Sequence, residues 1–179
     1  MDEIRRLIVM GLPLALPRIA HALPADAGTS PEASSFLSIG GAVRNKTKVP
    51  AESLRASSLV GEMGPVPLTV RGGEVRRTLT GYRGIKLTDL LDQAQFEPSD
   101  HNALKRSYII ARASDDYTVV FSWSELYNTP IGAGVLVLVE KDSEAIPTTE
   151  GPLALISRLD LLTGPRHVRW LTAIEVRQV

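Results

Sequence analysis

The densest positive run of this 179-residue sequence lies near its end, where Arg158, Arg166, His167 and Arg169 fall close together. Guanidinium groups keep their charge on burial and grip phosphate or carboxylate oxygens in pairs, so such a run suits an anionic ligand. A second basic stretch, Arg71, Arg76, Arg77 and Arg83, lies upstream. Its plainer reading is the solvated face of a strand. The histidines are His21, His101 and His167, and none has metal-ligand spacing around it. His101 reads as a loop residue and His167 as a residue at a strand edge. Asp115 and Asp116 offer paired carboxylates for acid–base work, but adjacent aspartates in a three-residue turn face water. Gly132-Ala133-Gly134 precedes a strand and lacks a third glycine, so it fails as a dinucleotide fingerprint. The chain has no cysteine, which excludes disulfides, thiolate zinc sites, iron–sulfur clusters and cysteine nucleophiles. Acidic and basic residues balance at 20 each, which gives no reason to expect nucleic acid or a membrane surface as partner.

These side chains need a scaffold, and the composition says of what kind. Apolar residues make up 44% and charged residues 22%, the balance of a globular chain. The length suffices for one domain with a real core and is too short for two ordinary ones. Residues 1–22 read as an export signal. Arg5 and Arg6 precede an apolar run at 7–16, and Ala20-His21-Ala22 has the small-x-small form of a cleavage site. The run is too short for a stable membrane span. Residues 23–35, rich in Pro, Ala and Ser, form a flexible lead, and 36–179 form the domain. A periplasmic or secreted location follows.

Periodicity then supplies the elements. Residues 36–43 predict a first strand, 46–48 an exposed turn and 50–58 a short helix. Residues 61–67 read as a breaker-rich connection. Gly72-Gly73 between strand-like runs predicts a tight hairpin. Gly81-Tyr82-Arg83-Gly84 reads as a turn. Leu87, Leu90, Leu91 and Ala94 fall on one helical face, with Thr88 as the expected cap. Residues 96–105 read as a loop. Residues 107–113 and 117–122 predict a second hairpin around Ser114-Asp115-Asp116. Ser122-x-x-Glu125 is a capping box opening a helix at 123–127. Residues 129–134 read as a loop, and the unbroken apolar run 135–139 as a strand buried on both faces. After a turn at 141–144, a short apolar run at 153–156 leads to the closing stretch. There Val168, Trp170, Ile174 and Val176 share one parity, which predicts one long half-buried strand with Trp170 closing the core. The expectation is about seven or eight strands and three short helices in no β-α-β order, hence a mainly β, hairpin-rich α+β domain.

Three ordered pieces resemble a known family. They are Leu79-Thr80-Gly81-Tyr82-Arg83-Gly84-Ile85-Lys86-Leu87-Thr88-Asp89-Leu90-Leu91, then Ala113-Ser114-Asp115-Asp116-Tyr117-Thr118-Val119-Val120-Phe121-Ser122 with Glu125-Leu126. The third runs from Val135 through Ile146-Pro147 and Gly151-Pro152-Leu153 to Arg166 and Val176. Together they are similar to the oxidoreductase molybdopterin-binding domain of the sulfite oxidase family. That resemblance implies the family's fold and molybdopterin as cofactor. Molybdenum-active members hold the metal through one cysteine thiolate. The corresponding region here, 68–73, offers Thr69, Val70 and Arg71, and Asp116 stands where the family has glycine. The chain therefore resembles the short, exported, cysteine-free branch, and molybdenum has no thiolate to bind it. By analogy with the family's closing motif, Arg169 would contact a pterin phosphate. Arg166, Arg158, Arg71 and His101 join it as cofactor-binding candidates on charge and placement, with no catalytic and no metal-ligating residue assigned. The sequence leaves three readings open: a cofactor-binding oxidoreductase-family domain, a non-catalytic module for a small anion, and a partner subunit in a periplasmic system.

Overall fold

The strand predicted to be buried on both faces is the partition of the molecule. A computed structural model describes residues 35–100 and 102–179. The expected export signal at 1–22, the lead up to residue 34 and His101 lie outside the described residues. In chain order the strands are β1 (Phe36–Gly41), β2 (Thr47–Pro50), β3 (Gly61–Glu62), β4 (Val66–Thr69), β5 (Val75–Leu79), β6 (Tyr82–Lys86), β7 (Ser107–Ala113) and β8 (Thr118–Ser122). They continue with β9 (Val135–Lys141), β10 (Glu144–Ala145), β11 (Ala154–Ser157), β12 (His167–Val168) and β13 (Leu171–Gln178). The helices are α1 (Ala51–Arg55), α2 (Leu87–Ala94) and α3 (Trp123–Asn128). One sheet runs β2-β1-β13-β7-β8, a second runs β12-β11-β9-β6-β3, and β4 and β5 form a separate hairpin. The fold is mainly β with short helices, as expected.

Every residue of β9 from Val135 to Glu140 is buried. Successive side chains of a strand point to opposite faces, so such a run must have a core on each side. Val135, Val137 and Val139 face the larger core, with Leu37, Ile109, Phe121, Leu155, Leu171, Ile174 and the apolar face of α2. Leu136 and Leu138 face a smaller core with Ala154, Ile156, Tyr82, and Val66, Leu68 and Leu79 of the β4–β5 hairpin. The hairpin therefore roofs the outer face of the second sheet.

Several local expectations are corrected. Only Gly81, at φ +75°, makes the turn expected over 81–84; Tyr82 begins β6. Gly84 sits mid-strand because a Cβ there would lie 2.6 Å from the Val137 carbonyl oxygen of β9. The expected turn at 46–48 contains the start of β2, which pairs antiparallel with β1. The connection at 61–67 contains β3, paired with β6, and the start of β4. The expected cap Thr88 lies inside α2, whose N-cap is Lys86 with no side-chain capping bond. Short 3-10 turns occupy Ala103–Arg106 and Pro130–Gly134 within two expected loops.

The largest correction concerns the close of the chain. The single strand expected through 168–176 is two, β12 and β13, in different sheets. Trp170 takes φ +49° between them, and the register shifts between Leu171 and Ala173. The break puts Leu171, not Trp170, fully into the core. Trp170 instead covers Gly151 and donates its indole Nε1–H to the Thr148 carbonyl at 2.9 Å.

Candidate functional site

The crossing from β12 to β13 carries a polar cluster into the rim of the smaller core. Glu150 sits in the turn before Gly151-Pro152. Its amide donates to Pro147 O at 2.9 Å, its carbonyl accepts from the Trp170 amide at 2.7 Å, and Gly151 turns the chain at φ +84°. The turn thus holds the Glu150 backbone in place and buries its side chain. Two donors converge on that carboxylate. Tyr82, pointing from β6 into the smaller core, donates its hydroxyl to Oε2, and Arg77 of β5 donates a guanidinium N–H to Oε1. His167 on β12 and Arg169 beyond it lie within electrostatic range.

The charges follow from these partners. Burial opposes ionisation of Glu150, but the hydrogen bonds from Tyr82 and Arg77 outweigh it and hold the carboxyl below its ordinary value. Burial, followed by the hydrogen bond to Glu150, pushes the Tyr82 hydroxyl far up, so it stays protonated and serves as a donor. Burial depresses His167 to about 4; Arg77 and Arg169 add to that, and Glu150 opposes it. At neutral pH the cluster is one carboxylate, two guanidinium groups and a neutral imidazole, a net positive site. The imidazole Nε2 is buried with no hydrogen-bond partner. Such an arrangement can hold an anion. It supplies no nucleophile, since the tyrosine resists deprotonation and the imidazole is turned inward.

The sequence-predicted residues separate in the fold. Arg166 is committed to Glu125 and Asp160, each at 2.8 Å, with its guanidinium 4.7 Å from the centre of the Phe121 ring. Glu125 therefore spends its carboxylate on Arg166, while the Ser122 hydroxyl accepts from the Glu125 amide at 3.0 Å as the capping box requires. Arg169 is exposed and lies 4.4 Å over the Trp170 ring. Arg158 lines a cleft of about 230 Å³ with Lys86, Glu62 and Asp89. Arg71 is exposed beside the turn of the β4–β5 hairpin, and His101 lies outside the described residues. Of these, Arg169 acts on the cluster electrostatically, through His167. The sequence reading missed Tyr82, Arg77 and Glu150. Arg77 was indistinguishable from its exposed strand neighbours, and Tyr82 was hidden in an expected turn. The one signal for Glu150 was a lone acid ahead of Gly-Pro between the apolar Ile146 and Leu153.

The residues at 69–71 do not fit a thiolate-held molybdenum. The side chains are Thr, Val and Arg, and the chain has no cysteine. The Thr69 amide donates to Thr163 Oγ1 at 2.9 Å, and the Thr163 hydroxyl donates to Pro67 O at 2.5 Å. Gly164 packs so close that a Cβ there would lie 3.0 Å from both Thr69 O and Val70 Cγ1. Protein thus fills the space against this strand end. Among the described residues no three His, Asp or Glu side chains group to hold a metal ion.

No protein-family model matches the chain, and no curated protein matches it by sequence. Among solved structures it is similar to the crystal structure of the sulfane dehydrogenase SoxCD from Paracoccus pantotrophus, with a TM-score of 0.53 and 17% sequence identity. The match covers 80% of this chain and 39% of the solved one, so this chain spans well under half of that protein's length. At that identity the likeness is one of fold.

Proposed function

We propose that this chain is an exported protein of molybdopterin-domain-like fold that binds a small anionic ligand and does not carry out molybdenum redox chemistry. The fold likeness to a sulfane dehydrogenase supports the fold, together with the ordered sequence pieces that resemble the family, and the signal-like run at 7–16 supports export. The missing thiolate and the packed strand end at Thr69 support the last. One observation carries the ligand reading: the buried, unpartnered Nε2 of His167 lies in the field of Arg77, Arg169 and the single Glu150 carboxylate. Two guanidinium groups against one carboxylate leave a surplus positive charge, and Arg169 is exposed to receive a ligand.

The test uses the full chain expressed in a periplasm whose host makes molybdopterin, purified without refolding. Elemental analysis should find no molybdenum, and the oxidised extract no stoichiometric pterin fluorescence. Arg169→Ala should weaken sulfate binding about tenfold while leaving the thermal midpoint in place. Stoichiometric metal would overturn the redox part of the reading, and unchanged sulfate binding would overturn the ligand part. Bound pterin without metal would identify the anionic ligand as a pterin phosphate.

A second reading, a partner subunit, has its own observation. Leu161 is 95% exposed in the turn after β11, flanked by the exposed Leu159 and Leu162. Asp160 at its base is bonded to Ser157 and Arg166, so this apolar turn is held out toward solvent.

A further inference from the structure

We propose that Glu150 is a built-in competitor for the anion site: its carboxylate occupies the guanidinium of Arg77, and a small oxyanion binds by exchanging with Glu150 at that guanidinium. This rests on the anion-binding reading above and adds how the site is kept closed.

Three observations carry it. The first is that the two partners differ in freedom. The Glu150 side chain is 6% exposed and hangs from a turn tied to Trp170 and Pro147, whereas the Arg77 side chain is 51% exposed on a strand whose residues from Val75 to Thr78 face solvent. The guanidinium is the part that can leave. The second is that Glu150 has another donor. When Arg77 departs, the carboxylate keeps the bond from the buried Tyr82 hydroxyl on Oε2, which lowers the cost of leaving the charge without its guanidinium. A plain buried ion pair lacks that provision, and opening one costs the desolvation of an unpaired ion. The third is the surroundings. Arg77 and Arg169 both act electrostatically on His167, so an oxyanion drawn to Arg77 enters a field made more positive by a second guanidinium, which rests on the Trp170 ring. An attached carboxylate competes at an effective concentration on the order of millimolar or higher, so the parent protein binds a free oxyanion weakly.

The probe is inorganic sulfate, titrated calorimetrically into the folded full chain at neutral pH. Glu150→Gln keeps the shape and a hydrogen-bonding partner for Tyr82 but loses the charge. It should bind sulfate about tenfold more tightly than the parent. Adding Arg77→Ala to that variant should cancel the gain. Tyr82→Phe, which conserves volume in the core, leaves Glu150 dependent on Arg77 and should weaken sulfate binding instead. Thermal melts of each variant confirm that the domain is folded, and the opposite directions of the two core variants separate exchange from loosening of the fold. Equal sulfate affinity in parent and Glu150→Gln, or a gain that survives loss of Arg77, overturns the competitor while leaving the anion site standing. Absence of sulfate binding in the parent and every variant overturns both.

Discussion

His167 and Glu150 show how a buried side chain turns a local contact into a dependence of the whole fold on pH. The unfolded imidazole protonates near its ordinary 6.5, and the folded one near 4. As pH falls through that window the unfolded chain takes up a proton that the native state refuses, so stability drops. A shift from 6.5 to about 4 bounds the loss at roughly 3 kcal/mol, complete once both states are protonated. Glu150 works lower: its folded carboxyl lies below the ordinary 4.5, so the stability it contributes is present above that value and is lost as pH falls through the depressed one. His167→Gln removes the first window and not the second. Urea unfolding of parent and variant from neutrality down to about pH 4 should show a sloping parent and a flatter variant. Parallel slopes would remove His167 from the account.

At the scale of elements, turns and caps place the side chains that chemistry uses. The Ser122 hydroxyl satisfies an otherwise orphan amide at the start of α3, whose Glu125 in turn holds Arg166. Ser122→Ala should cost about 1 kcal/mol in equilibrium unfolding, and Ser122→Asn, which can still cap, should restore most of it. Equal loss in both would mean that the hydroxyl matters for something other than the cap. Arg166 was a ligand candidate on charge and placement, yet its two carboxylates make it a brace between α3 and the turn after β11. An arginine that already holds two acids has little left for a ligand.

The whole molecule is layered unevenly. β13 lies between β1 and β7, and β9 lies between β6 and β11, so their backbone amides are paired and covered. The β4–β5 hairpin pairs only with itself and meets the body through Val66, Leu68 and Leu79, the Arg77–Glu150 pair and the Thr163 hydroxyl. Native-state hydrogen exchange should therefore protect β9 and β13 most and β4–β5 least. Saturating sulfate should speed exchange in the hairpin if the anion releases Arg77 from Glu150. A hairpin as protected as β9 would contradict the view that Arg77 sits on the movable layer.

The sequence by itself determined the elements whose signals are local. The apolar stripe of α2, the Gly-Gly hairpin, the aspartate turn where Asp116 takes φ +66°, the Ser122 cap and the double-faced burial of β9 all follow from spacing and turn chemistry. So does the loss of any thiolate. Period-two alternation also suggested one closing strand, and there it misled: Val168, Ile174 and Val176 are all buried on the expected parity, but the positive φ at Trp170 breaks the strand between two sheets and the register shift after Leu171 restores the alternation. What only the tertiary structure decided is which charges meet. Arg77 and Glu150 are 73 positions apart and Tyr82 and Glu150 are 68 apart, and the hydrogen bonds between them exist because the hairpin folds over β6 and the 147–151 turn docks on Trp170. Sequence spacing carries no information on such pairs. Burial then sets their chemistry, since the same carboxylate, phenol and imidazole in water would keep their ordinary proton affinities.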